Sequence, residues 1–437
     1  VPAIQEWGAA LLAARPDWPL DAVVDVLRRT PPRTISGALA TAEDGIVDAL
    51  VASLLDLDSS YLAVQGPPGT GKTYTGAHVI ARLVADHGWR IGVVSQSHTT
   101  VENLLAAVLD AGLRPGLVGK KPKAGSENEP TAWMSIADPA AFLAKGGGRV
   151  LGGTAWTFSN REQVPRRSLD LLVIDEAGQF SLASTIAASM SARRLLLLGD
   201  PQQLPQVSQG THPEPVDGSA LGFVSDGHEV LPAELGYFLP ESRRMDAALA
   251  APVSALSYEG RLRSHPVTRQ RLLEGVAPGL HPRPVVHEGD ATSSPVEAAA
   301  VVELVESLLG TPWTDPGAGR TGDPLGETDF IVVTPYNAQV VLVREALDAA
   351  GHQGVRVGTV DRFQGQEAVV AIVTLAASSA VEVPRGLPFL ILKNRLNVAI
   401  SRAQWAAYLI YSPELADFLP PTPAGVAQLS AFIDLTS

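Results

Sequence analysis

Gly66-Pro-Pro-Gly-Thr-Gly-Lys-Thr73 is a glycine-rich turn that ends in a lysine and a hydroxyl. Gly66, Gly69 and Gly71 free the backbone to turn successive N–H groups inward on one anion, with Pro67, Pro68 and Thr70 completing the loop. Lys72 then reaches the outer oxygens of a polyphosphate, and the Thr73 hydroxyl is a ligand for Mg²⁺. Such chemistry needs a carboxylate partner, and Val173-Ile-Asp-Glu-Ala-Gly-Gln179 offers two. Asp175 would hold Mg²⁺ through water and Glu176 would polarise an attacking water. Taken alone, an Asp-Glu pair after a strand is also an ordinary way to cap a helix. His98, His281 and His287 lack the spacing of a metal site and read as structural.

These groups need rigid strands behind them. Tyr61–Gln65, Arg90–Val94, Leu171–Ile174 and Leu195–Leu198 are short apolar runs with Gly, Asp or Ser close to one end, the pattern of strands buried on both faces. A helical pattern follows the glycine-rich turn as far as His87. A second set of strands is expected at Phe330–Val333, Val355–Val360, Val369–Leu375 and Ala407–Tyr411. Alternating strands and helices predict an α/β fold with parallel sheets. The expected organisation is a flanking helical stalk, or the end of an upstream domain, over residues 1–40, a first domain over 41–235 and a second over 236–437. Residues 106–148, with Lys121-Pro-Lys123 near the middle and Gly146–Gly148 at the end, read as an insertion in the first domain.

At 437 residues the chain is long enough for about two or three domains with their own cores. Hydrophobic residues at 46% and charged residues at 18% exclude wholesale disorder and a coiled-coil rod. With no Cys, disulfides, thiolate metal sites and cysteine nucleophiles are absent together, and a cytoplasmic location is expected. The longest apolar stretch, Ala368–Val381, is about 14 residues and interrupted, where a bilayer span needs roughly 20. A net charge of -13 excludes a coating protein that holds nucleic acid through a global field. Local basic clusters remain at Lys120, Lys121 and Lys123, at Arg161, Arg166 and Arg167, and at Arg261, Arg263, Arg269 and Arg271. Each is either a solvated face or part of a groove. Residue 1 is Val with no leader-like start, so a fragment of a longer chain is expected.

The phosphate turn and the Asp-Glu pair stand in order with Leu198-Gly-Asp-Pro-Gln-Gln-Leu-Pro205, Glu241-Ser-Arg-Arg-Met245, Val333-Thr-Pro-Tyr-Asn-Ala-Gln339, Val357–Glu367 and Asn397-Val-Ala-Ile-Ser-Arg-Ala403. This series resembles superfamily 1 helicases, in the branch holding the nonsense-mediated-decay helicase, senataxin and the Okazaki-fragment helicase-nuclease. Gly-Pro-Pro-Gly-Thr-Gly-Lys-Thr with Asp-Glu-Ala-x-Gln separates it from the UvrD-type pattern. It is also similar to the helicase half of bacterial proteins that carry a RecB-like nuclease upstream. The resemblance implies two tandem RecA-like P-loop domains with ATP and Mg²⁺ between them. It places Arg244 and Arg402 at the two finger positions that neutralise charge on the γ-phosphoryl group. By the same carry-over, Gln203 senses the γ-phosphate, Gln179 helps place water and Glu367 contacts the ribose. Arg243 stands where relatives stack an aromatic ring on the base.

A motor of this kind grips backbone phosphates with sequence-blind contacts. The candidates are Thr99, Thr100, Thr154, Thr334, Asn337 and Thr359, most of them at or just past the end of a predicted strand, where helix capping is the alternative. Trp156 and Trp133 either stack on bases or, as expected here, pack in the core. The expected activity is a monomeric, nucleic-acid-dependent ATPase moving on single-stranded nucleic acid, DNA ahead of RNA, with a fused or associated nuclease upstream and no membrane partner. Two alternatives stand beside it: an ATP-timed nucleic-acid clamp that does not unwind, and the motor module of a DNA end-processing nuclease.

Overall fold

A computed structural model describes residues 2–123, 125, 130–204, 212–363 and 365–437. Pro205 and Gln364, the ends or interior of two motifs above, lie outside the described residues. The chain divides into two compact units, the first ending at Leu239 and the second running from Pro240, with Pro67–Thr70 and Gln202–Leu204 grouped with the second. Among the described residues no helix is long and apolar enough to cross a membrane.

In the first unit the strands are β1 (Tyr61–Gln65), β2 (Arg90–Val94), β3 (Val118–Lys120), β4 (Met134–Ser135), β5 (Arg149–Gly153), β6 (Leu171–Asp175), β7 (Leu195–Gly199) and β8 (Gly236–Phe238). They form one sheet in the order β4-β3-β5-β2-β6-β7-β1-β8, parallel throughout. Side chains alternate across a pleated strand, and here both faces are covered. Tyr61 and Ala63 of β1 enter the core on one face with Leu172, Ile174, Leu195 and Leu197. Leu62 and Val64 enter the other with Leu171, Val173, Leu196 and Leu198. Helices Lys72–His87 and His98–Asp110 cover this second face through Ala77, Val79, Ile80, Leu104 and Leu105. That double burial is why β1, β2, β6 and β7 read as unbroken apolar runs.

Three segments bear on the expected boundaries. Residues 1–40 are no stalk: helix Ala22–Arg28 buries Val23 and Val26 in the core beside Tyr61 and Ala63. Its Asp25 carboxylate accepts hydrogen bonds from Ser60 Oγ at 2.6 Å and from Arg33. Residues 236–238 belong to the first sheet, because β8 pairs in parallel with β1, Ala63 opposite Gly236. Residues 106–148 lie within the first unit, as expected, and extend its sheet. The segment begins as the end of helix His98–Asp110, and its β3 and β4 continue the sheet beyond β5.

In the second unit the strands are β9 (Glu241–Ser242), β10 (Arg263–Ser264), β11 (Leu272–Leu273), β12 (Gly279–Pro284), β13 (Pro312–Asp315), β14 (Arg320–Pro324), β15 (Phe330–Thr334), β16 (Arg356–Thr359), β17 (Ala368–Thr374) and β18 (Ala403–Tyr411). A five-stranded parallel sheet runs β12-β18-β17-β15-β16. Phe330, Val332, Val370, Ile372, Ala406 and Ile410 build its core with helix Pro295–Leu308. Pro282 and Pro284 fall on β12, an edge strand, where missing N–H groups cost least. A small antiparallel sheet, β11-β13-β14, sets Trp313 edge-on against Trp405.

Candidate nucleotide site and nucleic-acid face

Because every strand of the first sheet runs the same way, the carboxyl ends of β1, β2, β5, β6 and β7 share one rim, the side on which open α/β sheets bind ligands. The glycine-rich turn leaves β1 there. Gly71 stands at φ +80° as the N-cap of helix Lys72–His87, a left-handed conformation that a side chain would resist. The N–H groups of this first turn therefore lie free of helical partners, as an anion cradle requires. Lys72 donates to Gly66 O at 2.6 Å, Thr70 Oγ1 to Pro67 O at 2.8 Å, and Thr73 is exposed.

Asp175 closes β6, two strands from β1, and is buried. Burial pushes its carboxyl up to about 7, the charge of Glu176 adds to the shift, and the Glu176 N–H and Lys72 oppose it. Glu176 itself stands at φ +56°. Gly178 passes so close to Gly199 and Asp200 that added Cβ atoms would meet backbone at 2.6 Å and 2.3 Å. The glycines of Asp-Glu-Ala-Gly-Gln and Leu-Gly-Asp therefore let β6 and β7 exit side by side. Gln179 is half-buried and its carbonyl accepts from Gln96. Gln203 is buried just past β7. Asp200, directly after β7 in the Leu198–Pro205 motif, is a third carboxylate on this rim, reached by Gln65 Nε2 at 3.4 Å.

The oxygen donors of Thr73 and the buried, costly carboxylate of Asp175 are the hard ligands Mg²⁺ favours. They fit the ion.

In the second unit Arg244 is buried, donating from Nε to Glu367 Oε2 at 2.6 Å and from Nη1 to Ser401 O at 3.0 Å. Arg244 and Gln404 oppose the burial of the Glu367 carboxyl and leave it below its usual range. Glu367, expected to meet a ribose, is thus engaged by Arg244 and Gln404. Arg402 departs further from its expected place. It is 2% exposed and donates to Val398 O, Phe363 O and Gln366 O, fastening the end of helix Lys393–Ile400. Arg243 is exposed.

The hydroxyl candidates separate. Thr99 is exposed and Thr100 half-buried in the first turn of helix His98–Asp110, with Ser97 Oγ accepting from Thr100 N at 3.0 Å. Thr154 is half-buried after β5 and makes no capping bond with its side chain. Asn337 is exposed, and Thr359 half-buried at the end of β16. Thr334 lies fully buried at the end of β15, its hydroxyl without a partner among the described residues. Trp156 is corrected, being 79% exposed rather than core. The short helix Ala155–Ser159 turns Thr157 and Phe158 inward and leaves Trp156 outside.

Fold and site together define an α/β chain of two parallel-sheet units, the first of which carries a P-loop-type turn and an Asp-Glu pair on one rim. Residues 48–216 and residues 231–414 each match a family described as AAA domain. The chain is 26% identical over 390 residues to the DNA replication ATP-dependent helicase/nuclease JHS1 of Arabidopsis thaliana, a match covering 82% of this chain and 28% of that protein. It is 26% identical over 411 residues to the DNA-binding protein SMUBP-2 of Mesocricetus auratus, covering 78% and 40%. Among solved structures, the arterivirus nonstructural protein 10 helicase aligns over 82% of this chain and 60% of that one, with TM-score 0.45 and 17% identity. The chain thus spans less than half the length of the two curated relatives. Its ordered motifs are similar to those of superfamily 1 helicases, and its relatives in sequence include proteins named as helicases.

Proposed function

We propose that this chain is an ATP-driven motor that moves on single-stranded nucleic acid, DNA ahead of RNA. One observation carries the reading: the Lys72 turn and the Asp175-Glu176 pair emerge two strands apart on one rim of a single parallel sheet. In this reading the turn holds the β- and γ-phosphates, Thr73 and Asp175 hold Mg²⁺, and Glu176 takes the proton of the attacking water. The bound ion would draw charge from the γ-phosphoryl oxygens. Arg244 supplies the cation for charge developing in the transition state. Arg402, whose guanidinium is spent on carbonyls, acts by holding the turn from which Ser401 O receives Arg244. Thr99, Thr100, Thr154, Asn337 and Thr359 provide the strand contacts, and the two relatives whose printed names include DNA support DNA as the strand.

The test is steady-state ATP hydrolysis with no nucleic acid, single-stranded DNA, single-stranded RNA or blunt duplex, with Lys72→Ala as the blank. Strong stimulation by single-stranded DNA, and displacement of a strand from a tailed duplex, are expected. Equal, unstimulated turnover in all four conditions would sink the motor.

A further inference from the structure

We propose that the carboxyl end of β3 carries a pocket for one nucleotide of a bound single strand, its base against Trp133 and its phosphate on Lys120. This rests on the reading that the chain binds single strands, and it adds where the first unit grips one unit of that strand.

A cavity of about 310 Å³ opens here, lined by Glu102, Lys120, Pro122, Thr131, Trp133 and Ser135. That is the lower end of the range for ligand pockets, roughly 300–1,000 Å³, and suits one nucleotide rather than several. Lys120 is 3% exposed, an expensive place for an ammonium without anions around it. It donates to Glu102 Oε1 at 2.9 Å, and Glu102 is itself more than a third exposed. An ammonium has three donors, and among the described residues only that one bond is made. His98, one helical turn before Glu102 and outside the pocket lining, has its Nδ1 buried with no partner among the described residues. Burial and the nearby charge of Lys120 hold its imidazole below the usual range. Trp133 is half-buried and packs on the core beneath, so its ring is a fixed platform. Stacking on such a ring is sequence-tolerant because every base has a π-face.

Position favours a strand over a free nucleotide. In the order β3-β5-β2, the pocket lies two strands from Thr99 and Thr100, with Thr154 and exposed Trp156 between them. The P-loop leaves β1, five strands away in the same sheet, so the pocket is no part of the triphosphate site. Lys120, Lys121 and Lys123 are three of the six lysines in a chain of net charge -13. An anion is drawn to such a protein where its cations are gathered.

The decisive experiment irradiates the chain bound to oligodeoxynucleotides carrying 5-iodouracil at successive positions and maps the crosslinked peptide by mass spectrometry. Attachment at Trp133 is expected. In parallel, fluorescence anisotropy follows strand binding by Trp133→Leu, Trp133→Phe and Lys120→Gln. Trp133→Leu and Lys120→Gln should each weaken binding about tenfold, and Trp133→Phe should restore most of it. Lys120→Gln should also make the slope of log K against log salt shallower by about 0.7, while Trp133→Leu leaves the slope alone. Tight binding by the unmodified chain with no crosslink at Trp133, and wild-type affinity in both variants, overturns the pocket and leaves the motor standing. Weakening that Trp133→Phe does not restore, without the crosslink, likewise overturns it. Failure of the unmodified chain to bind any single strand sinks the motor and the pocket together.

Discussion

Glu176 occupies a backbone conformation that disfavours it, with φ at +56°. A residue other than glycine in this region costs on the order of 1 kcal/mol or more, and strain of this kind gathers at functional sites. If the turn after β6 needed only its shape, Gly or Asn would supply it more cheaply, so the carboxylate itself is the reason for a glutamate. Glu176→Gln keeps the shape and removes the base. We expect this variant to bind ATP as the parent does and to lose turnover by about 10²- to 10⁴-fold, measured by nucleotide binding beside steady-state hydrolysis. Turnover close to the parent's would remove Glu176 from the proton step. Legibility at this scale followed the chemistry. Gly66–Thr73 and Asp175-Glu176 could be read because residue type and spacing nearly specify the geometry they need. Arg402 could not, since an arginine's sequence position says nothing about whether its guanidinium faces a ligand or, as here, three backbone carbonyls.

The elements carry two further expectations. In the second unit, His287 Nδ1 lies 2.8 Å from Asp290, its Nε2 lies 3.2 Å from Glu297, and Ser294 and Ser378 flank Nδ1. Glu297 also accepts from Ala376 N at 2.8 Å and from the Thr374 hydroxyl, which takes a bond from Gln339 Nε2 at 3.0 Å. The cluster therefore ties helices Pro295–Leu308 and Asn337–Ala349 to the end of β17. The Glu297 hydrogen bond outweighs burial, and with Asp290 it raises the imidazole above 6.5. A raised folded-state value means the stabilisation is full below about 6.5, the unfolded value, and is lost as pH climbs through the folded one. Urea midpoints should fall over that interval in the parent and stay flatter in His287→Gln; equal slopes would remove the imidazole from the account. In the first unit, Val26 is fully buried in the sheet's core. Val26→Ala should therefore cost about 2 kcal/mol and lower Tm by roughly 4–8 °C, read by thermal unfolding. A loss within experimental error would restore the stalk reading for residues 1–40. Helices were expected over residues 1–40, but their burial was not legible, because their apolar faces gain meaning only once β1 is beneath them. The same holds for β12, whose prolines disguise an edge strand, and for Thr334, whose burial comes from what packs over the end of β15. By contrast β1, β6 and β7, buried on both faces, were plain.

At the scale of the whole molecule, a net charge of -13 opposes any long-range attraction for nucleic acid, so grip must come from few, local cations and from hydroxyl and N–H groups. Basic side chains elsewhere are already committed: Arg166 to Glu6 at 2.8 Å, Arg271 to Asp315 at 2.9 Å and Arg263 to Glu241 at 3.0 Å. All three basic clusters read from the sequence are thus tied at least in part to acidic partners, Lys120 to Glu102 at 2.9 Å among them, so the positive field is local wherever it occurs. For a single strand each neutralised phosphate contributes about -0.7 to the slope of log K against log salt. About three or four such contacts predict a slope of roughly -2 to -3, far shallower than a protein that wraps its ligand in cations. Anisotropy titrations from low to moderate salt measure it directly. A slope of about -6 or steeper would require a broad basic track that this charge distribution does not contain. A flat response would mean that the strand is not held by its phosphates, and the hydroxyl contacts along the two rims would lose their role with it.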